Sequence, residues 1–115
     1  EFNKNRSRKR AESYRFQQVT YEYEQTVLEA FSDVDNSLYG YRSYGEQYDI
    51  LDRQVVAARK ALELTQARYD FGYTSYLEVI IQEDNLFEAE NQRSYILQKK
   101  LSSVVNLYKS LGGGW

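Results

Sequence analysis

From Val27 onward the chain sets apolar or aromatic residues seven apart, at Val27, Val34, Tyr41, Tyr48, Val55, Leu62 and Tyr69. A second series follows three residues after each of the first six, at Ala30, Ser37, Tyr44, Leu51, Ala58 and Thr65. A seven-residue repeat held over this length predicts a helix with a coiled-coil seam. The small members of the second series predict close approach by a partner helix. Gly40 and Gly45 fall inside the pattern, each costing about 1 kcal/mol relative to alanine in a helix interior. The repeat nevertheless stays in phase across both, which a loop would not preserve. The pattern therefore reads as one long helix over residues 8–70, kinked or straight, roughly 90 Å at about 1.5 Å per residue. A break at the glycines, giving three helices, is the alternative.

A second periodic segment spans 76–111. Its seam reads Ile80, Phe87, Ser94, Leu101 and Tyr108, with Leu97, Val104 and Leu111 three residues on. Val79, Leu86, Val105 and Leu107 widen this stripe, and a broad stripe implies more than one neighbour. Between the two segments stands "RYDFGYTSYLEV", residues 68–79. Gly72 suits the left-handed conformation that closes a helix. Ser75 with Glu78 three residues later has the form of a capping box, in which hydroxyl and carboxylate satisfy free backbone N–H groups. Residues 71–75 thus form a turn at the tip, and so short a connection makes the helices antiparallel neighbours. Folded back from Gly72, the second helix reaches only to about residue 36. Phe16, Val19, Tyr23, Val27 and Phe31 are then left uncovered, and apolar surface of that extent marks an interface. The fold class is all-α: a long antiparallel helical hairpin with coiled-coil packing.

Composition sharpens this picture. Twelve of the hydrophobic residues are tyrosines, whose hydroxyls seek water or a partner, so the aliphatic supply is thin for a core in so small a chain. With 15 Lys and Arg against 17 Asp and Glu, the net charge of −2 gives no reason to expect a nucleic-acid partner. Histidine and cysteine are both absent, which removes the usual general base, thiolate chemistry and the commonest metal ligand. No apolar run approaches the roughly 20 residues of a membrane-spanning helix. There is no signal peptide, so the sequence reads as cytosolic or as a piece of a longer exported chain. Glu83, Asp84, Glu88 and Glu90 do not share a helix face and read as a solvated surface rather than a metal site. Glu83 and Glu90 fall on the seam, as they would where a helix lines a wet interior. Residues 1–7 make a basic start, with Glu1 and Phe2 consistent with a cloning remnant, and Lys4, Arg6, Arg8, Lys9 and Arg10 oppose the helix macrodipole there. That cluster reads as a solvated segment, with an acidic membrane or nucleic acid as the competing contact. Residues 112–115 close the chain as a glycine-rich end. Neither catalysis nor a cofactor is expected.

Three stretches carry a resemblance. "YEQTVLEAFSDVDNSL" (23–38), "ALELTQARYDFGYTSYLEV" (61–79) and "VNLYKSLGGGW" (105–115) together resemble the C-terminal part of the TolC-like outer-membrane efflux channels, in the order and spacing of that family. The resemblance implies a segment of a periplasmic α-barrel: the second repeat's long helix, the periplasmic tip and the returning helix, without β-barrel strands. It further implies a homotrimeric duct, reaching the outer membrane through a β-barrel contributed by other segments. Expected partners are a periplasmic adaptor and, directly or through it, an inner-membrane pump. Small molecules would be exported through the assembly, whose helix pairs reorient at the tip.

Carried over by position, Tyr69, Asp70, Phe71, Gly72, Tyr73, Thr74, Ser75, Tyr76 and Leu77 resemble the adaptor-docking tip, and Glu78 an acidic position at the channel entrance. Within that set, Tyr69 falls where some members have a latching tyrosine, and Gly72 is the turn glycine. Thr74 stands where one type of member has a latching arginine, so that latch is not carried over. Ile81 replaces an aspartate common in the family, so a second carboxylate ring is not expected. The alternative function is a cytosolic coiled-coil interaction protein with no transport role. A nucleic-acid-binding hairpin that uses the basic start is a third reading.

Overall fold

A computed structural model describes residues 1–112, and the last three residues of the glycine-rich end lie outside it. Two helices account for nearly all of it: α1, Phe2–Asp70, and α2, Tyr76–Ser110. They fold back on each other as an antiparallel hairpin within a rod of 104 × 20 × 18 Å. Helix α1 begins at Phe2, earlier than the expected residue 8. Once a long helix is nucleated each further residue adds a hydrogen bond, which outweighs the unfavourable charge of the basic start. Gly40 and Gly45 lie within α1 and do not interrupt it.

The seam on α1 follows the repeat. Val34, Ser37, Tyr44, Tyr48, Leu51, Ala58, Leu62 and Thr65 are half-buried and Val55 is fully buried, but Ala30, Tyr41 and Tyr69 of the same repeat are exposed, and Val27, expected to be uncovered, is half-buried. Gly40 shows why a small residue stands there. A Cβ added to it would sit 3.2 Å from Ser103 Oγ and 3.9 Å from Ser103 Cβ. The backbone of α1 thus passes directly over Ser103, itself buried and holding its hydroxyl on Lys99 O at 3.1 Å.

Helix α2 meets α1 on a different face from the one its apolar residues predict. The covered positions are Val79, Leu86, Arg93, Lys100 and Leu107, with Gln82, Ala89, Ile96, Ser103 and Ser110 between them. The expected seam of Ile80, Phe87, Leu101 and Tyr108, with Leu97, Val104 and Leu111, stays exposed. The register is fixed by polar side chains with long apolar stems, which cover surface while their heads reach out. Arg93 Nη1 donates to Asp52 Oδ1 at 2.7 Å, and Arg59 Nη2 to Glu90 Oε1 at 3.4 Å. Lys100 Nζ lies over the rings of Tyr41 and Tyr48, 5.4 and 5.9 Å from their centroids, in the cation–π range. Glu90 is therefore half-buried and paired across the hairpin, whereas Glu83 is exposed.

Among the described residues the fully buried apolar side chains are Val55 and Val79. Each contributes about 1.5–3 kcal/mol by burial, little against the entropy of ordering so long a chain. Helix α2 ends beside Asp33, Asn36 and Ser37, and every residue from Glu1 to Thr26 is exposed. The projecting part of α1 carries Phe2, Phe16, Val19, Tyr23 and Phe31 in the open.

Candidate functional site

The tip is built by helix termination. The N–H of Tyr73 donates to Arg68 O at 2.8 Å and that of Gly72 to Tyr69 O at 2.9 Å. This nested pair, closing around a left-handed residue, is a Schellman motif, and Gly72 holds the required φ of +79°. An added Cβ at Gly72 would meet nothing within 4 Å, so glycine is needed for its backbone and not for space. The chain then extends through Ser75, with φ −83° and ψ 158°, into α2.

The capping box does not form. Neither side chain of the Ser75–Glu78 pair makes a cap bond, and the N–H of Glu78 donates instead to the backbone oxygen of Ser75 at 3.2 Å. Glu78 stays exposed in the first turn, where its charge still favours the helix N-terminus.

Four aromatic side chains divide into two pairs. Tyr69 and Tyr76 meet across the turn with ring centroids 5.2 Å apart and planes tilted by 58°, within the contact range of aromatic pairs. They bridge the last turn of α1 and the first of α2. Phe71 and Tyr73 are 6.5 Å apart and project outward, 78% and 76% exposed, with Leu77 also exposed nearby. Asp70 accepts a bond from Gln66 Nε2 at 3.0 Å and Thr74 is half-buried. All the residues singled out in this stretch therefore share one end of the rod. Tyr69 and Tyr76 hold the turn, while Phe71, Tyr73 and Leu77 offer apolar surface.

Among the described residues no group of carboxylates comes together as a metal site, and no helix is long and apolar enough to cross a membrane. The sequence reading did not anticipate the ion pair of Asp52 with Arg93 or the seat of Lys100. A signal was present: Asp52 and Arg93 stand nearly equidistant from Gly72, so folding about that glycine brings them abreast.

A family model described as outer membrane efflux protein matches residues 1–113. A pyoverdine export outer membrane protein of Pseudomonas putida is 33% identical over 93 residues, 81% of this chain and 20% of that protein. A toluene efflux pump outer membrane protein of the same species is 38% identical over 95 residues, 82% of this chain and 20% of that protein. An antibiotic efflux pump outer membrane protein of Pseudomonas putida is 36% identical over 93 residues, 81% of this chain and 19% of that protein. The chain thus spans about a fifth of the length of the curated relatives it matches. No solved structure matches it.

Proposed function

The chain belongs to the outer membrane efflux protein family, and from that premise we propose that it is one stave of a periplasmic efflux duct. The duct is a homotrimer that carries small molecules across the periplasm and the outer membrane, and the stave itself performs no catalysis. The observation that carries this reading is a second, uncovered apolar face on α2. One face is covered by α1, while a second stripe through Ile80, Phe87, Leu101 and Tyr108 has no cover within the hairpin. Neighbouring staves standing side by side would bury that stripe, as the closure of a hollow cylinder requires.

At the periplasmic end, Phe71, Tyr73 and Leu77 form the contact for a periplasmic adaptor, and through it for an inner-membrane pump. Exposed aromatics that become buried on binding are the residues that dominate interface energetics. Glu78 is assigned the channel entrance, a reading supported by its exposure in the first turn of α2. Relatives named for toluene, antibiotic and pyoverdine export support a small-molecule cargo.

The test uses a full-length parent carrying this hairpin, expressed in cells that lack their own duct. Phe71→Ser with Tyr73→Ser should cut export and adaptor cross-linking sharply while trimer yield stays unchanged. Leu101→Glu should instead reduce trimer yield. Export and cross-linking at parental levels in the tip variant would refute adaptor docking through these residues.

A further inference from the structure

Gly72 is required by its φ and Gly40 by its close approach to Ser103, but Gly45 by neither. It lies inside α1 without a positive φ. A Cβ added to it would meet only the end of Lys100, 3.8 Å from Cε and 4.0 Å from Nζ. That is ordinary contact with a flexible side chain, so alanine would fit. A helix interior that has room for alanine yet holds glycine is locally loose, because glycine gives up the most conformational freedom on becoming helical.

Helix α2 is weak at the same level. Ser103 lies against Gly40 and Lys100 against Gly45, so these stretches of the two helices stand side by side. There Ser103 Oγ donates to Lys99 O at 3.1 Å. A serine bonded to the carbonyl four residues back slightly destabilises and bends a helix, and kinks gather at glycine and serine positions.

One side chain spans this level. Tyr41, Gly45 and Tyr48 are four and three residues apart and share a helix face. The stem of Lys100 crosses the bare face of Gly45, and its Nζ lies 5.4 Å from the Tyr41 centroid and 5.9 Å from that of Tyr48. Both distances are within cation–π range. One ring stands a turn before the glycine and the other a turn after it.

We propose that residues 40–45 of α1 and 99–103 of α2 form a joint at which the hairpin bends, and that Lys100 is its catch. With the ammonium shared by both rings, α1 is held across Gly45. Bending there moves the rings relative to each other, and the ammonium keeps one and releases the other. The pairs of Asp52 with Arg93 and Arg59 with Glu90 lie on the tip side of the joint, so that arm moves as a unit. It is about 40 Å long at about 1.5 Å per residue, and a bend of about 10° carries the turn sideways by about 7 Å. The inference rests on the hairpin alone and not on the duct reading.

The test is amide hydrogen exchange in a full-length parent carrying this hairpin. Overlapping peptides compare residues 45–49, whose helical hydrogen bonds span Gly45, with residues 55–65 nearer the turn. Gly45→Ala should slow exchange at 45–49 by about fivefold and leave 55–65 unchanged. Lys100→Met keeps the apolar stem and removes the ammonium, and should speed exchange at 45–49 by about threefold. In a Tyr48→Leu chain, straight and bent states offer the ammonium the same single ring, so Lys100→Met should add nothing. Confinement to 45–49 separates bending at a joint from a general loss of stability, which would move 55–65 as well. Equal changes in both segments, no change at 45–49, or an undiminished effect of Lys100→Met beside Tyr48→Leu would overturn the proposal.

Discussion

Replacing Gly72 by alanine isolates the backbone term of the turn. The added methyl group meets open space, so no packing is gained or lost. What changes is that an L-residue must hold a φ of +79°. The left-handed region costs such a residue about 1–2 kcal/mol, more than the roughly 0.4–1 kcal/mol that a stiffer unfolded chain returns at a compatible site. The expected sign is destabilising, by about 1 kcal/mol, and valine should be worse because a branched Cβ is still less tolerated there.

Gly45→Ala is the internal control. Gly45 lies inside α1, and an added Cβ would be 3.8 Å from Lys100 Cε, an ordinary contact. Alanine should therefore stabilise by up to about 1 kcal/mol through helix propensity alone. Urea unfolding followed by circular dichroism at fixed protein concentration would measure both. By melting, 1 kcal/mol corresponds to about 4 °C for a chain of this size. A Gly72→Ala chain as stable as the parent would mean that the turn is not held by its left-handed residue. A destabilised Gly45→Ala chain would mean that the helices pass more tightly there than the distances imply.

Two further outcomes follow from the seam. Gly40→Ala should gain less than Gly45→Ala in the parent chain, since its Cβ would press on Ser103 Oγ at 3.2 Å, and recover the full gain of about 1 kcal/mol once Ser103→Ala removes that oxygen; equal effects in both backgrounds of a double-mutant cycle would deny the close approach. The pair of Arg93 with Asp52, at 2.7 Å and partly buried, should show a coupling of about 0.5–1 kcal/mol that declines with salt, against a smaller value for the more exposed Arg59 with Glu90 at 3.4 Å; the reverse ranking would show that burial does not decide it.

Much of the hairpin was legible because α1 announces its seam in apolar residues: Val34, Leu51, Val55 and Leu62 are both the repeat and the covered face. The turn was legible because Gly72 supplies a conformation that few residues accept. The facing side of α2 was not, and the reason is physical. A pattern of apolar residues reports which faces need cover, not which neighbour covers them. On α2 the face turned to α1 includes Gln82, Arg93, Lys100 and Ser103, polar residues that an apolar pattern passes over and that bury their stems or their small size against α1. The more hydrophobic stripe one residue further along remains open. The capping box failed for a related reason, since a backbone bond to Ser75 O already occupies the N–H of Glu78. For the tip, the sequence located the residues but could not divide them, because only the fold separates the Tyr69–Tyr76 brace from the outward Phe71 and Tyr73.

The narrow passage at Gly40 and Ser103 has a mechanical consequence. Toward the turn the two rods grip through Leu51, Val55, Leu62, Val79 and Leu86, but at the far end the grip thins to Val34, Ser37, Gly40, Ser103 and Leu107. Cohesion is therefore graded along the length. Pulled or warmed, this clasp should unzip from its open end and let go last beside the bend, so that the far end can splay to accept a new neighbour while the fork at Gly72 keeps its shape.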